Sequence, residues 1–210
     1  MDTQLARKSI LQKLQQSAQP VPLEQKQWHG QLSDKSCDEL CALFTRVLTA
    51  HNCTVINLET ITDLPAAVND YLREKIANPL IFGGDNPLLN TLAWSSVGLQ
   101  WQETEFTDDG QTSIATADYG IADTGTVVVL SSEKNPTRNN FLAEHHLVVI
   151  KKETILPYSE DVWRSLLQQH NNQLPRAINF ISGPSSSADV GLKLEYGAHG
   201  PRSLAVFIVG

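Results

Sequence analysis

The stretch Gly125-Thr-Val-Val-Val-Leu-Ser131 and the similar stretch His146-Leu-Val-Val-Ile-Lys151 decide the fold of this chain. Each contains four consecutive apolar residues, most of them β-branched, and each has the length of one strand. A strand that is apolar on both faces is typical of the centre of a parallel sheet with helices on both sides. The two stretches therefore predict central strands of an α/β protein.

Helical and strand-like segments alternate around these two stretches. The spacing of apolar residues predicts helices over 36–50, 64–76 and 159–170. Short apolar runs predict further strands over 53–58, 79–82, 177–182 and 204–209. Ser159 is placed to cap the last helix. This alternation favours a three-layer α/β/α domain with a mostly parallel sheet.

The N-terminal part of the chain differs from the rest. Residues 3–17 predict a helix with one apolar side, formed by Leu5, Ile10, Leu11 and Leu14. Prolines at positions 20 and 22 predict a linker after it. We therefore expect an N-terminal helix and linker arm over 1–33 and one domain over 34–210.

Composition excludes several classes of protein. The 210 residues carry a formal charge of −7, which disfavours non-specific binding to nucleic acid. No apolar run reaches the length of a membrane span, and the polar N-terminus does not look like a signal peptide. We therefore expect a cytoplasmic protein.

Three cysteines, Cys37, Cys41 and Cys53, are present. An odd number without paired spacing indicates a reducing compartment, and buried structural thiols are favoured over metal ligands. Dinucleotide, Walker, zinc-protease and serine-hydrolase motifs are absent from the sequence. We expect no cofactor and no iron–sulfur cluster in this chain.

Three loops have residues that suit a small anionic ligand, which α/β sheets bind at strand ends. In the first loop, 117–126, Thr124 and Thr126 place hydroxyls around Gly125, and Asp123 is a candidate base. The alternative is that Asp123 caps a turn and Gly125 serves only the backbone geometry.

The second loop follows the strand predicted to end at Ser182. Its glycine, hydroxyls and carboxylate predict an anion cradle at the start of a helix, formed by Gly183, Ser185, Ser187 and Asp189. A helix-start turn without a ligand is an equal alternative.

The third loop, 196–202, precedes the last predicted strand. His199 is a candidate acid–base group, and Arg202 can fork onto a carboxylate or phosphate. A histidine and an arginine on a surface loop are the simpler interpretation.

Four segments resemble the lactate-utilisation (LUD) domain, in particular its protein C family. Residues 121–126 resemble the signature Ala-Glu-Thr-Gly-Thr, with Asp123 in place of glutamate. Residues 141–149 resemble the family's strand that begins near a histidine, here His146. Residues 181–189 resemble Gly-Pro-Ser-x-Thr-Ala-Asp, and 197–202 resemble Gly-x-His-Gly-Pro-Arg.

The resemblance implies a fold like that of the CoA-transferases and glucosamine-phosphate isomerases. It implies an accessory subunit of a system that oxidises L-lactate to pyruvate, beside partner subunits that carry iron–sulfur clusters. The residues placed in catalytic roles on this basis are Asp123, His146, Asp189 and His199. Those placed in binding a small carboxylate are Thr124, Gly125, Thr126, Gly183, Ser185, Ser187 and Arg202.

Two alternatives stay open. One is a stand-alone enzyme that acts on a sugar phosphate or a CoA ester, as relatives of the fold do, with Asp123 as its carboxylate. The other is an assembly or docking factor whose loops only shape a surface.

Overall fold

The computed structural model describes residues 3–17, 30–76, 78–84, 86–103, 111–132, 135–171, 174–188 and 194–210. The helices are α1 (Thr3–Ser17), α2 (Cys37–Ala50), α3 (Leu64–Leu72), α4 (Pro87–Asn90) and α5 (Ser159–Gln169). The strands are β1 (Thr54–Leu58), β2 (Leu80–Phe82), β3 (Gln100–Gln102), β4 (Thr112–Thr116), β5 (Tyr119–Ile121), β6 (Thr126–Leu130), β7 (His145–Lys151), β8 (Ile155–Leu156), β9 (Ile178–Ile181), β10 (Ser186–Ala188), β11 (Leu194–Tyr196) and β12 (Ser203–Val209). The predicted α/β class and the predicted N-terminal helix are both confirmed.

Six of these strands form a wholly parallel sheet in the order β1-β12-β7-β4-β2-β3. Its longest pairing joins β7 to β12, from His145 opposite Ser203 to Lys151 opposite Val209. β7 is buried along its whole length except at Lys151. Because both faces of β7 are covered, its continuous apolar sequence marks a central strand, as predicted.

The two faces of this sheet pack against different helices. Leu147 belongs to the cluster that includes the buried residues of α3, whereas Val148 belongs to the cluster that includes those of α2. Successive side chains of a strand point to opposite faces. The adjacent residues His145 and His146 therefore lie on opposite sides of the sheet, His145 towards α3 and His146 towards α2.

The valine-rich stretch at 125–131 is not part of this parallel sheet, so its predicted position there is wrong. It forms β6, which pairs antiparallel with β5 and β9 in a second sheet of order β8-β5-β6-β9. Val127 and Val129 pack with α2, and Val128 packs with α5. β6 is apolar on both faces because its sheet lies between the main body and a helix.

Local signals fix the helix starts to different degrees. Ser36 and Glu39 form a capping box at α2, where each side chain accepts a hydrogen bond from the other's backbone N–H. At α5 the N-cap residue is Tyr158, without a side-chain cap, so the prediction for Ser159 is wrong. In the described part of the chain, no helix is long and apolar enough to cross a membrane.

Candidate functional site

A cavity of about 280 Å³ lies at the amino ends of β7 and β12, between the parallel sheet and the second sheet. Its lining residues are Asn140, Phe141, His146, Phe180, Ile181, Ser182, Gly183, Ser185, His199, Gly200, Pro201 and Leu204. Of the residues proposed from the sequence, His146, Gly183, Ser185 and His199 therefore meet at one place. The cavity is at the opposite end of the strands from the carboxyl edge, where ligands usually bind in such sheets.

Backbone hydrogen bonds hold the two C-terminal motifs together at this cavity. Ser185 N–H donates to the Pro201 carbonyl at 2.8 Å, and Gly197 N–H donates to the Ser185 carbonyl at 2.9 Å. Arg202 N–H donates to the Glu144 carbonyl at 2.8 Å, which ties the third loop to the start of β7. The position of the lining side chains is thus set by main-chain contacts.

No helix begins at 186–188, contrary to the prediction for the second loop. These residues form β10, which pairs antiparallel with β11. Three register pairs place the segment in a strand: Ser186–Tyr196, Ser187–Glu195 and Ala188–Leu194. The anion cradle therefore lacks the helix dipole on which the prediction rested.

His146 forms the floor of the cavity and is 1% exposed. Its Nδ1 lies 2.9 Å from Ser113 Oγ, on the neighbouring strand β4. Its Nε2 is buried and has no hydrogen-bond partner among the described residues. Burial lowers the pKa of His146 to about 4, so the imidazole is neutral at neutral pH. One ring nitrogen is held in place, and the other has unmet hydrogen-bonding capacity.

Asn140 is the residue that sequence reasoning missed. It ends the short 3-10 turn Thr137–Asn140, lines the cavity and is 1% exposed. Neither its Oδ1 nor its Nδ2 has a hydrogen-bond partner within the described part of the chain. Its only sequence signal is its position directly before the motif that starts at Phe141.

The first loop contacts the cavity only indirectly. Thr124 Oγ1 and Thr126 Oγ1 lie 2.7 Å apart, and Thr126 Oγ1 lies 2.7 Å from Ser182 Oγ. Ser182 lines the cavity, whereas Asp123 is exposed and does not. Gly125 has a φ of +56° and packs against the end of α2.

Of the remaining proposed residues, Arg202 and Ser187 are not part of the cavity lining. Arg202 has a 65% exposed side chain, and its Nη1 lies 3.6 Å from Glu144 Oε1. Ser187 is half-buried in β10 and pairs with Glu195. Asp189 lies outside the described residues.

His145 forms a separate buried cluster on the other side of the sheet. Its Nδ1 lies 2.7 Å from Ser203 Oγ, which also accepts a hydrogen bond from Tyr71 OH at 3.1 Å. Desolvation lowers the pKa of His145. The neighbouring histidines thus have hydroxyl partners on opposite faces, and only His146 lines the cavity.

A larger cleft of about 720 Å³ lies at the carboxyl ends of β1, β4, β7 and β12. Its lining is mostly apolar and includes Thr116, Val149, Lys151 and Val209. Asn86, also part of the lining, donates from Nδ2 to Thr116 Oγ1 at 2.9 Å. Two of the polar side chains of this cleft are therefore engaged with each other.

The described residues contain no group of three or more His, Cys, Asp or Glu side chains that could hold a metal ion. Cys37 is exposed, and Cys41 and Cys53 are buried. Desolvation raises the pKa of Cys53 to about 12, so this thiol stays protonated at neutral pH.

The model of the LUD domain family matches residues 41–209. That range lies within the domain expected over 34–210, and the boundary itself stays a prediction. Over 192 residues the chain is 29% identical to a lactate utilization protein C of Halalkalibacterium halodurans, covering 85% of this chain and 82% of that protein. It is 34% identical over 104 residues to the uncharacterised protein YkgG of Escherichia coli, covering 49% of this chain and 45% of that protein.

The fold also matches a solved structure. A crystal structure of a DUF162 family protein from Deinococcus radiodurans is similar with a TM-score of 0.61 and 16% identity. The match covers 84% of this chain and 99% of that one. At this identity the likeness shows the fold.

Proposed function

Because the chain belongs to the LUD domain family, we propose that it works in lactate utilisation, as an accessory subunit of a system that oxidises L-lactate to pyruvate. The name of the Halalkalibacterium halodurans relative supports the pathway. In this proposal the chain carries no iron–sulfur cluster and works beside partner subunits that do.

The observation that carries the proposal is the pair of buried, unpartnered polar side chains at the amino-end cavity. His146 Nε2 and the Asn140 amide lack hydrogen-bond partners among the described residues. Leaving buried polar groups unpaired costs free energy, so native proteins keep few of them without a reason. A ligand that supplies the missing partners explains both at once.

His146 has the properties of a general base for a 2-hydroxyl group. Its neutral imidazole can take the hydroxyl proton on Nε2 if the proton on Nδ1 is donated to Ser113 Oγ. Oxidation of the 2-hydroxyl to a ketone releases two protons and two electrons. Iron–sulfur clusters of partner subunits would supply the electron acceptor, and the proton from C2 would leave to water or to a partner group. This chain would hold the substrate and accept one proton.

A docking role is favoured by a separate observation at the mouth of the same cavity. Phe141 and Phe180 both line the cavity and are 41% and 39% exposed. Trp163 is 39% exposed, and its ring centroid lies 5.5 Å from that of Phe180. Exposed aromatic side chains are typical of protein interfaces, so a partner subunit can close the cavity here.

The experiment is a pull-down of this chain from lactate-grown cells, with iron and lactate-dependent dye reduction measured on the eluate. We expect iron–sulfur proteins to co-purify and the eluate to reduce the dye only when L-lactate is added. An iron-free chain without this activity, from cells that still grow on lactate, contradicts the proposal. Dye reduction by the purified chain alone contradicts the accessory role.

A further inference from the structure

We propose that the amino-end cavity recognises an uncharged hydroxyl or carbonyl group, and that the charged part of its ligand stays outside it. The inference rests on the proposed function and narrows its substrate recognition. Among the described residues that line the cavity, none is Asp, Glu, Lys or Arg. The lining consists of apolar side chains, glycines, hydroxyls, one amide and two histidines.

The unmet hydrogen-bonding capacity of the floor fits a neutral group. The Asn140 amide offers one donor atom and one acceptor atom, and His146 Nε2 offers a third site. A ligand hydroxyl can accept from Asn140 Nδ2 and donate to His146 Nε2. A carbonyl oxygen can accept from the same amide. The hydroxyl meets two of these three sites and the carbonyl meets one, and neither group brings a net charge into the interior.

A carboxylate fits the interior poorly. An anion that is moved out of water needs a cation or several strong donors to offset its lost hydration. The motif cation Arg202 is largely exposed, lies outside the lining and faces Glu144. Gly183 faces a carbonyl oxygen, since a Cβ built on it would lie 3.0 Å from His51 O. The carboxylate of a 2-hydroxy acid therefore stays at the mouth, in contact with water.

The cavity is large enough to admit the hydroxyl end of a 2-hydroxy acid. A volume of about 280 Å³ corresponds to roughly nine waters at about 30 Å³ each. The hydroxyl end of a three-carbon acid fills only part of that space. The proposal therefore predicts that the carboxyl group can be replaced by a neutral amide, whereas the hydroxyl cannot be removed.

Four ligands distinguish the contribution of the hydroxyl group from that of the carboxylate charge. They are L-lactate, L-lactamide, propionate and propionamide. Their dissociation constants for the purified full-length chain are measured by calorimetry or ligand-observed NMR. Removing the hydroxyl should weaken binding roughly tenfold or more in both pairs, because buried partners are then left unpaired. Removing the charge should change it by about fivefold or less, as for an exposed ionic contact.

The opposite pattern overturns the proposal. If L-lactamide does not bind and propionate does, the cavity recognises the carboxylate. Absence of binding by all four probes at high millimolar concentration also overturns it. Neither binding result changes the outcome of the pull-down. The accessory role can therefore be correct even if this inference is wrong.

Asn140 and Asn179 form a matched pair of variants. Both are buried, but Asn179 Nδ2 donates to Val129 O at 3.1 Å, whereas the Asn140 amide has no partner among the described residues. Asn140→Leu should keep or raise the urea midpoint and abolish the preference for the hydroxyl. Asn179→Leu should lower the midpoint.

The variants also distinguish recognition from a structural role. If Asn140→Leu destabilises the protein as much as Asn179→Leu does, Asn140 serves the fold, and the proposal fails. If Asn140→Leu folds and still prefers L-lactate to propionate, the amide does not read the hydroxyl, and the proposal fails as well.

Discussion

The two ends of the parallel sheet differ in what their side chains leave unpaired. The carboxyl-end cleft is the larger, at about 720 Å³, yet Asn86 bonds Thr116, and Thr154 Oγ1 donates to the Lys151 carbonyl. The amino-end cavity is smaller, at about 280 Å³, but its floor holds His146 and Asn140 with unpaired buried atoms. If volume decided where a ligand binds, the site would lie at the carboxyl end. If unpaired buried polar atoms decide it, the site lies at the amino end. Specific chemistry needs polar groups that are placed and free, so we take the second criterion as the better guide.

The largest expected effect comes from a substitution at the amino end of β7. A substitution at the carboxyl end of the same strand is its control. His146→Gln removes the base and keeps a polar side chain, so lactate-dependent dye reduction by the complex should fall by about a hundredfold or more. Lys151→Ala removes an exposed side chain 3.7 Å from Glu153 and should change the rate by less than about twofold. Both complexes are assayed at equal subunit content.

The reverse result breaks the comparison. A complex that loses activity with Lys151→Ala and keeps it with His146→Gln has its site at the carboxyl end. Full activity of both variants, with intact partner binding, favours the docking role instead.

The next prediction concerns why position 125 requires a glycine. The two possible reasons are its left-handed backbone and the lack of room for a Cβ against α2. A Cβ at this position would lie 2.8 Å from Leu48 N, and φ is +56°. Gly125→Ala should therefore lower the free energy of unfolding by about 3 kcal/mol, from strain and the clash together. Gly98 also has a positive φ, +80°, but an added Cβ meets nothing within 4 Å.

Gly98→Ala is thus the control that carries the backbone strain without the clash. We expect it to cost about 1 kcal/mol in the same urea titrations. Equal losses in the two variants would show that contact with α2 is not what requires the glycine at position 125.

The sequence predicted most of the elements but not how they are grouped. The helix expected over 36–50 is observed as Cys37–Ala50, because capping and apolar spacing are both local signals. β6 and β7 look alike in sequence, yet they belong to different sheets. Pairing depends on distant segments, and composition does not reveal which partner a valine-rich strand will choose.

The candidate site was predictable where it follows motifs and not where it depends on packing. His146, Ser185 and His199 were proposed from the motifs and lie at one cavity. Asn140 has no local feature that marks it as buried and unpaired, since only the fold brings it to the floor. Arg202 was expected to bind a carboxylate, but residue type alone could not show that its side chain faces Glu144.

Acid should destabilise the protein chiefly through the amino end. The folded-state pKa of His146 is lowered from 6.5 to about 4, so below pH 6.5 the unfolded chain binds a proton that the folded chain does not. The free energy of unfolding therefore falls as the pH drops towards 4. Between pH 7 and pH 5 this one group should remove about 2 kcal/mol.

Urea titrations at the two pH values test this effect. His146→Gln should lose about 2 kcal/mol less than the wild-type chain over the same interval. His145 also has a lowered pKa, so part of the loss should remain in the variant. Identical pH dependence in both chains would mean that His146 is not neutral and buried in the folded state.

The smallest effect concerns the hydroxyl chain that joins the first loop to the cavity. Thr126 is 4% exposed, and its Oγ1 lies within hydrogen-bonding distance of both Thr124 and Ser182. Thr126→Val keeps the shape and removes both contacts, so the free energy of unfolding should fall by about 1 kcal/mol. Thr154→Val removes one contact of a half-buried hydroxyl at the carboxyl end and should cost less than about 0.5 kcal/mol.

If the two substitutions cost the same, buried hydroxyl contacts do not distinguish the two ends of the sheet. If Thr126→Val also weakens L-lactamide binding, the first loop acts on the ligand through Ser182, which gives Thr126 a positioning role.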